Sequence, residues 1–220
     1  MNESLARLQT DYIDILYTHV WDDGTPLQET LETLNWLIEQ GKVRYIGCSN
    51  MTGWQLQLAS IMGKQPGLGS YIVLQQQYSL LCREVEWEVT TVAERENVAI
   101  LPWSPLKGGW LSGKMRKDVG SAPAGSRVHA QTSDGVKNQS GPNWGDLAGK
   151  DQTWDILDKL NAIAKNNEKS VAQVATRYAI TIFLTYDNLE SLGGYWKRKM
   201  CQQSSLELNL WLNLRTILDV

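Results

Sequence analysis

Hydrophobic runs that end in polar residues alternate with amphipathic stretches along the first half of the chain. Tyr12 to Thr18 has the pattern of a buried strand, rich in Ile, Leu and Tyr, and it stops at His19-Val20-Trp21-Asp22. Thr25-Pro26 then opens a helix: Thr25 suits the N-cap, Pro26 the first helical position, and Gln28 completes a capping box. Leu27, Leu31, Leu34 and Ile38 recur at helical spacing, and Gly41 suits the stop. Val43 to Cys48 reads as a second strand, ending in Ser49-Asn50. A helix from about Gly53 to Met62, a P-G-L-G turn at Pro66 and a strand from Tyr71 to Gln75 follow. Glu84 to Glu96 predicts a further helix and Val98 to Trp103 a further strand. Leu5 and Leu8, ahead of Thr10, read as the last turns of a helix begun upstream.

Four strands with three intervening helices at this spacing predict βαβ units, a parallel sheet and an α/β fold class. In such folds sites are built where the strands stop. Lys107 to about Gly149 is long, polar and Gly-rich, the kind of stretch that is usually functional or disordered. Helical pattern returns at Trp154, Leu157, Leu160 and Ile163 and again from Ser170 to Ile180, then decays. Residues 1–180 therefore read as one domain and 181–220 as an aberrant tail.

Composition narrows the function classes. With 220 residues, 42% hydrophobic and a net charge of −3, the chain can bury a sizeable core and carries no basic footprint for nucleic acid. Ten Trp against one Phe is unusual but names no function. Cys48, Cys82 and Cys201 are odd in number and far apart, so they predict neither a disulfide framework nor a metal cluster. With no apolar run near membrane length and no leader pattern after Met1, the expected compartment is the cytoplasm.

The candidate chemistry sits at the strand ends. His19 is either a satisfied strand-end histidine or a hydrogen-bond donor aimed at a substrate carbonyl, work a neutral imidazole does near pH 7. Ser49-Asn50 is either a turn or cap, or a hydroxyl and carboxamide facing a ligand. Gln75 holds the equivalent place on the third strand, and the three together supply the donors and acceptors that an amide ligand needs. The fourth strand runs into P-W-S-P-L-K-G-G-W-L-S-G-K, Pro102 to Lys114. There Trp103 offers a flat face, Gly108-Gly109 lets backbone approach a phosphate, and Ser104 and Lys114 add a donor and a charge. Arg127 is a solvated loop arginine or a further cation for phosphate.

Taken together, D-Y-I-D-I-L-Y-T-H-x-W-D, G-K-V-R-Y-I-G-C-S-N, Q-x-x-Y-S-L-L, W-S-P-L-x-G-G-W-L-S-G-K and S-V-A-Q-V-A resemble the aldo-keto reductase superfamily. The likeness is to its bacterial and potassium-channel beta-subunit branch, from about Glu3 to Ile180. The resemblance implies a (β/α)8 barrel that binds NADP(H) at the carboxyl ends of its strands and reduces a small carbonyl substrate. It implies His19 as the active-site histidine and Ser49, Asn50 and Gln75 as the hold on the nicotinamide amide. Trp103 would stack on the nicotinamide ring, and Ser104, Pro105, Leu106, Lys107 and Gly108 would form the pyrophosphate-side loop. Lys114 and Arg127 match basic positions near the cofactor, Arg127 in a loop of variable length.

The departures shape the expectation as much as the matches. The family's proton-donating tyrosine, its lysine and its aspartate lie on early strands, and no residue here matches them. The fold expected is thus an incomplete barrel lacking roughly the first three strands and a normal last strand. Ser191 to Val220 replaces the family's ending, and a frame shift of two nucleotides forward from Ser191 permits a version of it. The expectation is a changed reading frame, after retained non-coding sequence near Thr181 to Glu190. The function expected is an NADP-dependent reductase impaired by the missing residues. The alternatives are a non-catalytic binding subunit that pairs with a protein partner, as channel beta subunits do, and an artefactual gene product.

Overall fold

The structure, a computed structural model, describes residues 1–124, 126–129 and 144–184. They fall into two compact units. The first holds Met1–Gln77 and Glu84–Trp103, the second Tyr78–Arg83 and the chain from Ser104 onward.

In the first unit, helix α1 (Asn2–Leu8) leads to β1 (Ile13–Thr18), α2 (Leu27–Glu39), β2 (Val43–Ser49), α3 (Gly53–Gly63) and β3 (Tyr71–Gln77). A 3-10 turn (Glu84–Trp87), α4 (Val89–Arg95) and β4 (Ala99–Trp103) complete it. The four strands are parallel and lie in the order β1-β2-β3-β4. This is the parallel α/β architecture that the alternation of patterns predicts. Leu31, Leu34 and Leu37 of α2 are buried, as are Val43, Ile46 and Cys48 of β2, Leu56 and Ala59 of α3, and Leu74 of β3. Each fully buried leucine or isoleucine contributes about 1.5–3 kcal/mol of transfer free energy. The outward stripe of α3 is apolar too, with Trp54, Leu58 and Ile61 exposed.

Three local expectations are corrected. Helix α2 starts at Leu27, with Pro26 at the N-cap and no side-chain cap. Thr25 is diverted: its hydroxyl donates to Asp22 Oδ2 at 2.6 Å, while Asp22 Oδ1 accepts from the Gly24 amide at 2.8 Å. A short polar turn has outcompeted the cap. A capping box forms instead at α3, between Thr52 and Gln55. The helix expected over Glu84 to Glu96 is broken at Glu88, whose backbone leaves helical geometry (φ −143). The Glu88 side chain packs onto Gly53, where any Cβ would collide with it.

The second unit has a 3-10 turn (Lys107–Ser112) and helices α5 (Trp144–Ala148), α6 (Asp151–Asn166) and α7 (Val171–Leu184). Helix α7 continues past Ile180, where the sequence pattern decays. Ser170 and Gln173 cap it reciprocally, at 2.9 and 3.2 Å. The stretch expected as an aperiodic loop is partly core. Trp110 is fully buried, stacked on Trp144 (centroids 5.0 Å) and edge-on to Trp154 (5.9 Å). Tyr78 and Tyr178 stack at 6.1 Å. The tail expected to be frame-shifted lies almost wholly outside the described residues.

Two predictions follow from the sheet. A Cβ on Gly47 would sit 2.6 Å from the Tyr17 ring and 2.8 Å from Val73 Cγ1. Gly47→Ala should therefore cost about 1–3 kcal/mol, read as a lower urea midpoint. Burial pushes the Cys48 thiol and the Tyr71 phenol each up to about 12, from 9.0 and 10.0. The folded chain then holds protons that the unfolded chain releases, so stability is full below pH 9 and falls as pH rises toward 12. Urea midpoints across that window should fall, and more shallowly for Cys48→Ala.

Candidate functional site

Parallel pairing brings the carboxyl ends of all four strands to one edge. Thr18 lies opposite Cys48, Ser49 opposite Gln75, and Gln77 opposite Trp103. His19 and Asn50 come one residue beyond their strands. Asn50 adopts a left-handed backbone (φ 56), which asparagine tolerates better than most residues. That turn lets its carboxamide reach in both directions along the edge. Nδ2 donates to the His19 carbonyl at 2.9 Å, and Oδ1 accepts the Trp103 indole N–H at 3.0 Å. The Gln75 carbonyl accepts from the Asn50 amide at 3.1 Å and from the Ser49 hydroxyl at 2.7 Å. Ser49 is buried, Asn50, Gln75 and Trp103 are half-buried, and the His19 residue is exposed. The five residues expected to face one ligand thus stand together at one sheet edge.

Their remaining hydrogen-bonding capacity defines what they can take. Asn50 keeps one N–H and one lone pair, the Ser49 oxygen can still accept, and Gln75 presents a half-buried carboxamide. That donor and acceptor set fits a planar amide. The bond from Trp103 to Asn50 fixes the tilt of the indole, so its face is presented in a set orientation. The exposed His19 residue brings an imidazole to the same edge. Among the described residues, no cluster of His, Cys, Asp or Glu could hold a metal ion.

Ser104, Pro105, Leu106, Lys107, Gly108, Lys114 and Arg127 all belong to the second unit. Ser104, Lys107 and Gly108 take positive φ values of 58, 47 and 66. For the two non-glycine residues this costs about 1–2 kcal/mol each. The turn is closed by the Lys107 amide donating to the Ser104 carbonyl at 2.8 Å, and by Gly109 and Leu111 donating to Leu106 at 3.0 and 3.1 Å. Burial of Trp110 and Leu111 anchors it. Pro105 and Leu106 are half-buried, while Lys114 and Arg127 are exposed cations.

Two polar features escape the sequence pattern. Gln76, on the opposite face of β3 from Gln75, has a buried Oε1 without a hydrogen-bond partner among the described residues. The Q-Q-Q run gives no sign of which glutamine faces which way. The Thr18 hydroxyl bonds the buried Tyr71 phenol at 3.2 Å, a pairing across 53 positions that no local motif announces.

The family model described as aldo/keto reductase family matches residues 1–185. An aryl-alcohol dehydrogenase of Pestalotiopsis microspora is 30% identical over 82% of this chain and 42% of its own length. An aldo-keto reductase of Metarhizium robertsii is 39% identical over 57% of this chain and 34% of its own. The versiconal hemiacetal acetate reductase of Aspergillus parasiticus is 30% identical over 82% and 49%. The chain thus spans less than half the length of these relatives.

The bidirectional amide yields a graded prediction. Asn50→Gly keeps the left-handed turn but loses both side-chain bonds, and should cost about 1–2 kcal/mol. Asn50→Ala adds roughly 1 kcal/mol of backbone strain. Urea midpoints should rank wild type above Gly above Ala, and the Trp103 indole N–H resonance should move in both variants.

Proposed function

The chain belongs to the aldo/keto reductase family, and on that premise we propose that its sheet edge is the nicotinamide end of an NADP(H) site for carbonyl reduction. The observation that carries the reading is the convergence of Ser49, Asn50, Gln75 and Trp103, with the Asn50 carboxamide joining the His19 backbone carbonyl to the Trp103 indole N–H. Ser49, Asn50 and Gln75 bind and orient the cofactor's amide. Trp103 excludes water from one face of the ring. His19 donates a hydrogen bond that orients a substrate carbonyl. A nicotinamide cofactor, when bound, supplies the hydride. In the second unit, taken by itself, the turn Ser104–Gly108 with Lys114 and Arg127 is proposed as a phosphate-binding element.

The substrate class proposed is a small aldehyde or ketone. Relatives named as aryl-alcohol dehydrogenases make an aryl carbonyl the first choice. The strands β1–β4 are proposed as an arc of an eight-stranded barrel, with roughly three strands preceding them in the family's arrangement. No residue of this chain matches the tyrosine, lysine and aspartate that deliver the proton in the family. For the chain on its own we therefore propose cofactor binding without turnover, in a cytoplasmic setting.

NADPH titration followed by an aryl-aldehyde reduction assay tests both parts. The expected result is saturable quenching of tryptophan emission, weakened at least tenfold in Trp103→Leu, with no carbonyl-dependent NADPH oxidation. Turnover would overturn the second part; absence of binding would overturn the first.

A further inference from the structure

A cavity of about 220 Å3 lies in the first unit where β1 gives way to α2. None of His19, Ser49, Asn50, Gln75 or Trp103 lines it. Among its walls are Thr18, Trp21, Leu27, Thr30, Met51 and Tyr71. It lies where α2 begins two residues after Thr25, whose hydroxyl bonds back to Asp22, and both residues line it.

Size, polarity and charge each narrow the occupant. An apolar cavity of about 150 Å3 holds benzene, so this one has room for a single ring with one short substituent. Trp21 is fixed edge-on to Trp54, with centroids 5.5 Å apart, and Met51 is 3% exposed. An indole and a thioether together favour an aromatic guest. Tyr71, 4% exposed, shares a single hydrogen bond with Thr18. Two hydroxyls with one bond between them leave one O–H to donate, and burial keeps the phenol protonated through the physiological range. At the rim Asp22 is held ionised, its carboxyl lowered by the hydrogen bonds from Thr25 and Gly24, and it disfavours an anion.

We propose that this cavity is a second small-molecule site, selective for a neutral single-ring aromatic bearing one hydrogen-bond acceptor such as a carbonyl. It does not depend on the cofactor site, and it is tested without cofactor.

The full chain, labelled with carbon-13 at its methionine methyls, is titrated with acetophenone, toluene and benzoate and followed by NMR. Acetophenone should shift the Met51 methyl saturably, and benzoate should bind at least tenfold more weakly. Tyr71→Phe keeps the ring volume and should weaken acetophenone roughly threefold to tenfold while leaving toluene unchanged. Thr30→Phe should fill the cavity and abolish binding. If it does not fold, the Tyr71 variant carries the test alone. Trp87→Ala, an exposed residue that lines neither the cavity nor the sheet edge, should leave acetophenone affinity unchanged. No saturable Met51 shift, or an acetophenone affinity unchanged in Tyr71→Phe, would overturn the proposal.

Discussion

The carboxyl edge of the sheet is organised by one side-chain amide. Parallel pairing alone would line up four strand ends, but each would finish in a turn of its own. Asn50 couples three of them: its backbone amide bonds β3, its Nδ2 the residue after β1, and its Oδ1 the last residue of β4. The reach is possible because its backbone is left-handed, a conformation disfavoured for most L-residues. A local conformational cost is thereby exchanged for long-range positioning, a pattern characteristic of working sites.

That arrangement explains how weak signals combine into a site. A histidine, a serine–asparagine pair, a glutamine and a tryptophan are each ordinary residues. Register places them side by side, and hydrogen bonding fixes which of their donors and acceptors remain for a ligand. The loop that follows Trp103 repeats the theme with strained Ser104 and Lys107 braced by buried Trp110 and Leu111.

How much of this was legible depends on the range of the interaction. Strands and helices with repeating apolar positions were readable because their period is local; β1, β2, α6 and α7 fall close to their expected spans. The start of α2 was not, because Asp22 competes for Thr25 from outside the capping motif. At the break, the Glu88 side chain lies against Gly53, a neighbour far back in the chain that no local pattern announces. Trp110 looked like part of a glycine-rich loop because its burial comes from Trp144 and Trp154, not from flanking periodicity. That His19, Ser49, Asn50, Gln75 and Trp103 stand at strand ends was legible from the runs that precede them. The bonds tying Asn50 to His19 and Trp103 were not, since they span 31 and 53 positions.

The tryptophan triad of the second unit has an optical consequence. Trp110, Trp144 and Trp154 lie with centroids between 5.0 and 6.1 Å apart, close enough for their transition dipoles to mix. Exciton bands from the indoles will overlie the peptide signal in far-ultraviolet circular dichroism. Helix content deduced from that spectrum will therefore be biased by indole bands that do not arise from the helical peptide groups.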